Sequence, residues 1–386
     1  MSSAGGLPLA AASPKVALPE AFPTPVILLA SVGRRIRVDA SGEQHEVTVL
    51  GPETDSLERN YYEITRVIRT AIFGSVHHAV RLLPQEDGTF RYELPHREFA
   101  IKVYNRSRLR DLQGSTQENP LVEIAAMQTL SAHGEHPHVM SLVECTMDLE
   151  HVFSVMEFCD GGELYEVVDE LEGPLEEADA RHYIMQIVRG LQHIHSLGIG
   201  HRDLSLENVL LQRATNTCKI IDFGMCLKMQ QEPQAEAAAG GAGGGATFAS
   251  VFGHPRPQYC NIPPQGVCGK KNYIAPEVLC NEQPFSPIKV DVWALGIILF
   301  IMLTGYPPFE YAMDVDQRFR IVKAGQLPAL LRSWGTRISP EGVDLLHRIL
   351  KVVPSERPEL EAILGHRWFG ISLPSRAAGQ GGGGRA

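Results

Sequence analysis

From Tyr61 to Val103 apolar residues tend to alternate with polar ones, and Pro84, Asp87 and Gly88 interrupt the alternation as hairpin turns require. This pattern predicts a small antiparallel sheet. Asn119 before Pro120 reads as a helix N-cap with proline in the first turn, and Leu121, Ile124, Met127 and Leu130 then recur at helical spacing, so one helix is expected against the sheet. Past Glu163 the periodicity is mostly helical, and Ala178 to His195 and Val290 to Met302 are long enough to be bundle helices. Ahead of the sheet lie an Ala/Pro-rich leader to about Val26, expected to be disordered, and a short strand-like stretch up to about Arg59. Eleven of the twelve residues from Ala235 to Ala246 are Ala or Gly, too little apolar surface to offset ordering entropy, which predicts a flexible insert over 235–247. A Gly-rich tail occupies 370–386.

A length of 386 residues suits two packed lobes with tails, and 44% hydrophobic with 21% charged residues excludes wholesale disorder or a disulfide-stapled miniprotein. Thirty-five Lys plus Arg against 45 Asp plus Glu leave a net charge of −10, which disfavours a nucleic-acid partner. Seven Cys without a C-x-x-C pair fit a reducing compartment, so the cytoplasm or the nucleus is expected. The longest apolar run, Ala294 to Leu303, is shorter than a bilayer requires, and no membrane span is predicted. The leader lacks the positive start and unbroken apolar core of a secretory signal, and its first Arg comes only at Arg34, late for an organellar presequence. A monomer is expected.

The chemistry is carried by an ordered set: Phe99-Ala100-Ile101-Lys102 on a predicted strand, His201-Arg202-Asp203 with Asn208 five residues on, Asp222-Phe223-Gly224, and Ala275-Pro276-Glu277. A lone Asp-Phe-Gly or Ala-Pro-Glu is most often a turn. In this order and spacing the chain resembles the eukaryotic protein kinase family from about Tyr61 to Phe369. The resemblance implies an α+β bilobal fold over 60–369, with a small antiparallel N-lobe of about 60–156 carrying one helix, a mostly α-helical C-lobe of about 160–369, and an activation segment at 222–277.

It also implies an ATP- and magnesium-dependent serine/threonine kinase. Phosphoryl transfer asks a protein mainly for positioning and charge neutralisation. By resemblance Lys102 holds the α and β phosphates and is tied by Glu123, with Glu118 the less favoured partner. Asp222 and Asn208 coordinate magnesium, which prefers hard oxygen ligands. Asp203 takes the acceptor hydroxyl's proton. Val76, Ala100 and Leu210 are the adenine walls, Met156 the gatekeeper, and Glu157 with Cys159 belong to the linker between lobes. Glu277 with Arg357 resembles the C-lobe's internal ion pair, and Asp291 to Gly296 its buried central helix.

Three departures from the family stand out. Where G-x-G-x-x-G is expected over the phosphates the chain reads Arg69-Thr70-Ala71-Ile72-Phe73-Gly74. Ala71, Phe73 and Gly74 are placed there by the resemblance, and the Cβ atoms at Arg69 and Ala71 predict weaker nucleotide binding. The catalytic loop carries Ser205 where such kinases place a Lys, and the docking loop reads Gly269-Lys270 where a Thr is expected. In the family those positions touch, so a compensating swap is expected, with Lys270 near the γ-phosphate and Ser205 in the hydroxyl's role; the alternative is a solvated Lys270. The activation segment is long, and its usual phosphate-acceptor position is Gly266, so activation without phosphorylation there is expected, with Thr247, Ser250 and Tyr259 as other acceptors. Cys226, Cys260, Cys268 and His254 match no metal-ligand spacing and read as loop thiols. The histidines at 133, 136 and 138 read as a His-Pro turn.

Glu163, a ribose contact by resemblance, and the nearby Glu207 favour a protein substrate with basic residues near the acceptor. Leu303 to Phe309 looks most like the calcium/calmodulin-dependent kinase group, although no calmodulin-binding helix follows. The alternative function is a pseudokinase scaffold that binds nucleotide weakly; a small-molecule phosphotransferase is disfavoured by the Ala-Pro-Glu segment.

Overall fold

In the computed structural model, which describes residues 15–52, 59–170, 173–232 and 257–370, the alternating segment forms strands, but the sheet begins earlier than the sequence pattern places it. Its strands are β1 (Leu28–Val38), β2 (Gln44–Pro52), β3 (Tyr61–Ala71), β4 (Gly74–Pro84), β5 (Phe90–Tyr92), β6 (Glu98–Asn105), β7 (Leu142–Met147) and β8 (His151–Glu157). Backbone pairings run β1 to β2, β3, β4, β6, β8 and β7, and the parallel contact of Leu28 with Thr146 and Leu29 with Met147 returns β7 to β1. The N-terminal hairpin thus closes the sheet into a ring, removing the open edge. Inside it Ala30, Leu50, Tyr62, Ala79, Phe99, Ile101, Phe153 and Val155 form one apolar cluster.

The strand-like stretch expected up to about Arg59 thus forms strands, and the leader expected to be disordered to about Val26 is ordered over its second half. Residues 28–52 are two strands of the N-lobe, and the segment before them is held from Lys15 onward. Ala17 N–H donates to the Asn261 carbonyl at 2.9 Å, and Glu20 N–H to that of Lys228 at 2.7 Å. Gln128 exchanges hydrogen bonds with both backbone groups of Val26. The first fourteen residues, the Ala/Gly insert, Thr247, Ser250, His254 and the tail beyond Gly370 lie outside the described residues.

The N-lobe carries two helices rather than one, α1 (Arg106–Asp111) and α2 (Pro120–Ala132). Asn119 caps α2 as its sequence predicts, its side-chain oxygen accepting from the N–H groups of Leu121 and Val122. The C-lobe holds α3 (Leu164–Asp169), α4 (Glu177–Ser196), the short strands β9 (Ile199–Gly200), β10 (Val209–Gln212), β11 (Thr217–Ile220) and β12 (Leu227–Lys228), then α5 (Pro276–Cys280) and α6 (Pro287–Thr304), with four shorter helices after them. The architecture is the bilobal α+β fold. Helix α6 is the one described helix long and apolar enough to cross a bilayer, and 89% of it is buried inside the C-lobe core. Arg357, 2% exposed, donates to both oxygens of Glu277 at 2.6 and 2.7 Å and stacks its guanidinium 5.0 Å from the Trp293 ring centre.

The hairpin from β3 to β4 is fixed by packing. Phe73 is buried and its carbonyl accepts from Asn105 N–H at 2.8 Å, while a Cβ on Gly74 would meet the Val103 carbonyl oxygen at 1.9 Å. Gly74→Ala should therefore force β4 and β6 apart and cost about 1–3 kcal/mol, read as a lower denaturation midpoint.

Candidate active site

The cleft between the lobes is a cavity of about 330 Å³. Its apolar walls come from Val76, Ala100, Met156, Cys159 and Leu210, joined by Ile68, Met140 and Ile221, and Glu157, Lys102, Glu123, Glu163 and Asp222 also line it. Ala71, Phe73 and Gly74 do not. The family resemblance places these three over phosphates, but Phe73 belongs to the buried core and Gly74 to the strand contact with Val103. The large apolar cluster that continues through α2 into the C-lobe claims the aromatic ring.

Lys102 on β6 meets Glu123 on α2 at 2.9 and 2.7 Å, and the Tyr104 hydroxyl donates to the same carboxylate at 2.9 Å. Glu118 is not the partner; it stands with Glu123 and Asp222 as a group of neighbouring carboxylates. Burial pulls the Lys102 pKa down, but the carboxylates of Glu123 and Asp222 outweigh it and hold it well above the usual lysine range. The ammonium stays charged, 4.0 Å from Asp222.

The catalytic loop hangs from α6. The buried Asp291 carboxylate accepts from the backbone N–H groups of His201 and Arg202, each at 2.8 Å, and lies 2.8 Å from the His195 ring. Its two accepted N–H bonds fix Arg202 at a positive φ of 67°. Asn208 donates from Nδ2 to the Asp203 carbonyl at 2.7 Å and to its Oδ2 at 2.9 Å, leaving the amide oxygen as the acceptor available to a cation. Burial pushes the Asp203 carboxyl up, against the pull of Lys270 and His201. Asp222 resists its own burial because Lys102, His201 and the Gly224 N–H favour its charged form, so its pKa lies below the usual range. An ionised Asp222 with a free Asn208 oxygen suits a hard cation.

Lys270 Nζ donates to Ser205 Oγ at 2.8 Å and lies 3.8 Å from Asp203 Oδ2. The two departures from the family pattern are in direct contact. Glu163 caps α3 and pairs with Arg69, whose Nη1 lies 2.9 Å away across the cleft mouth. The sequence pattern shows Arg69 only as a lost glycine; its ion pair with Glu163 carries no local motif. Glu207 does not line the cavity and meets the Tyr273 hydroxyl, whose pKa rises through burial and that charge.

Arg202 donates to the Met225 carbonyl at 3.0 Å and packs 5.7 Å from the Phe285 ring centre. The residue at the usual acceptor position, Gly266, has φ of 87° and donates its N–H to Asn281. Tyr259 is tied by its hydroxyl to the Ser196 carbonyl at 2.8 Å.

A bilobal α+β fold with an ion-paired strand lysine, an Asp–Asn catalytic loop and a second acid below the lysine defines the class of protein. The protein kinase domain model matches residues 92–369, and the chain belongs to that family. The match starts beyond the β3–β4 hairpin, the part that departs most from the pattern. Among its relatives are CBL-interacting protein kinase 17 of Oryza sativa subsp. japonica, 32% identical over 80% of this chain and 56% of its own length, and serine/threonine-protein kinase DCLK3 of Homo sapiens, 31% identical over 73% and 39%. CBL-interacting serine/threonine-protein kinase 13 of Arabidopsis thaliana is 29% identical over 90% and 59%. The chain spans about half the length of such relatives.

Proposed function

We propose that the chain is an ATP- and magnesium-dependent serine/threonine protein kinase. The observation that carries the reading is a pair of contacts, Lys102 with Asp222 in the cleft and Asn208 with Asp203 on the loop beside it, joined by the repulsion that Asp222 exerts on the Asp203 carboxylate, with Lys102 held charged by Glu123. Asp222 and Asn208 would hold magnesium and Lys102 the α and β phosphates. Bound ATP with magnesium supplies the transferable phosphoryl group and offsets much of its charge. Asp203 orients the acceptor hydroxyl and takes its proton as the hydroxyl oxygen bonds to the γ-phosphorus and the bond from that phosphorus to the β–γ bridging oxygen breaks, with ADP as the leaving group. The Lys270 ammonium, placed by Ser205, faces the developing charge in the role of the absent loop lysine.

The substrate proposed is a protein with basic residues near the acceptor, since Glu163 and Glu166 line the cleft mouth. All seven cysteines are free, and a cytoplasmic or nuclear setting is proposed with them. The test is magnesium-dependent transfer of labelled γ-phosphate to a library of basic Ser/Thr peptides by the full chain. Transfer that stops on chelation is the expected result. Nucleotide binding without transfer to any acceptor would make the chain a pseudokinase scaffold.

A further inference from the structure

Deepening the kinase reading and resting on it, we propose that Arg69 is a nucleotide-binding residue, its guanidinium contacting the phosphates in place of the main-chain amides of a glycine loop. The strand itself aims it there. Pairing between β3 and β4 slips by one residue between Val67 and Arg69, a bulge that carries Ile68 as the extra residue, and both Ile68 and Arg69 line the cavity. Bulges beside active sites commonly re-aim a side chain in this way. Beyond the bulge, Arg69 pairs with Val76 and Val76 with Lys102, so the three stand in line across β3, β4 and β6 on one face. That face presents a cation, an apolar wall and a second cation to the cleft.

The main chain of the hairpin offers little substitute. Its tip is pinned by the buried Phe73 ring, the Asn105 hydrogen bond and the contact of Gly74 with Val103, so it is not a loose loop that folds over an anion. The other two cations, assigned above to the phosphates, are each shared with a protein group, as Arg69 is with Glu163. Lys102 holds Glu123, and Lys270 holds Ser205 beside Asp203. Arg69 donates from Nη1 alone to Glu163, which holds the guanidinium over the mouth while its side chain is 52% exposed. Glu123 and Asp222 line the cavity with Glu118 close beside them, a concentration of carboxylates. A polyanion entering this cleft needs a further cation, and the planar guanidinium fork matches phosphate oxygens.

The experiment compares the dissociation constants of magnesium-ATP and of adenosine, by titration calorimetry on the full chain carrying Asp203→Asn to stop turnover, with and without Arg69→Ala or Arg69→Lys. Arg69→Ala should weaken magnesium-ATP about tenfold and leave adenosine within about twofold, with Arg69→Lys recovering part of the loss. Unchanged magnesium-ATP affinity overturns the proposal. So does equal tightening of both ligands, the behaviour of a guanidinium that merely lids the mouth. Where Arg69→Ala lowers the melting temperature, Arg69→Lys and Arg69→Gln carry the same comparison of the two ligands. The kinase reading fails separately: a parent chain that transfers phosphate while the Arg69 variants bind normally sinks the Arg69 assignment alone, whereas a parent that binds neither ligand sinks both.

Discussion

Asp203→Asn is expected to lower phosphoryl transfer by about three orders of magnitude while leaving magnesium-ATP affinity nearly unchanged, the size of effect associated with a lost general base. Asparagine keeps the shape and still meets Asn208, but its amide cannot accept the hydroxyl proton. The variant also separates base chemistry from positioning through pH. Burial raises the Asp203 carboxyl above the usual aspartate range, against Lys270 and His201. The active form is the carboxylate, so kcat/KM should climb with rising pH through that raised value and level off above it. In Asp203→Asn the residual rate should lose this limb. Steady-state kinetics over an acidic-to-neutral series checks both points, and a variant within about tenfold of the parent would remove Asp203 from the role of base.

Much of this centre was legible because its residues sit in local motifs. Asn119 and Pro120 announce the start of α2 by their own capping chemistry, and Glu123 falls three residues inside it, where helical spacing turns it toward Lys102. The N-terminal hairpin was not legible in that way. Strand β1 contains Arg34, Arg35 and Arg37, and only Ala30 of its eleven residues is buried, so no apolar stripe marks it. What places it is backbone pairing with β2 and the short contact with β7, neither of which leaves a pattern of side chains. Phe73 failed for the opposite reason: an aligned motif assigned it to the phosphates, but a large ring gains more from the core than from the cleft mouth. Arg69 was hidden by a bulge, since strict alternation through Ile68 would send one of the two side chains away from the cavity that both line.

The pair Ser205 and Lys270 lies between these cases, because its contact was inferred from two departures that coincide, and the 2.8 Å hydrogen bond places the ammonium beside Asp203. Lys270→Ala is expected to lower kcat about a hundredfold with a smaller change in KM for ATP, because a preorganised cation matters most where charge develops in the transition state. Loss of Ser205 alone should cost less, since Lys270 keeps its charge and gives up only the hydroxyl that orients it. The decisive variant is the exchange Ser205→Lys with Lys270→Thr, which restores the family's arrangement. If the cation is what the reaction needs, the double variant should recover to within about tenfold of the parent although each position has changed, a non-additivity that independent surface residues do not show. If Lys270 were only a solvated charge, Lys270→Ala would turn over at nearly the parental rate and the exchange would have nothing to rescue. Single-turnover measurements with saturating peptide make the comparison on the chemical step, where an ammonium at the γ-phosphate must act.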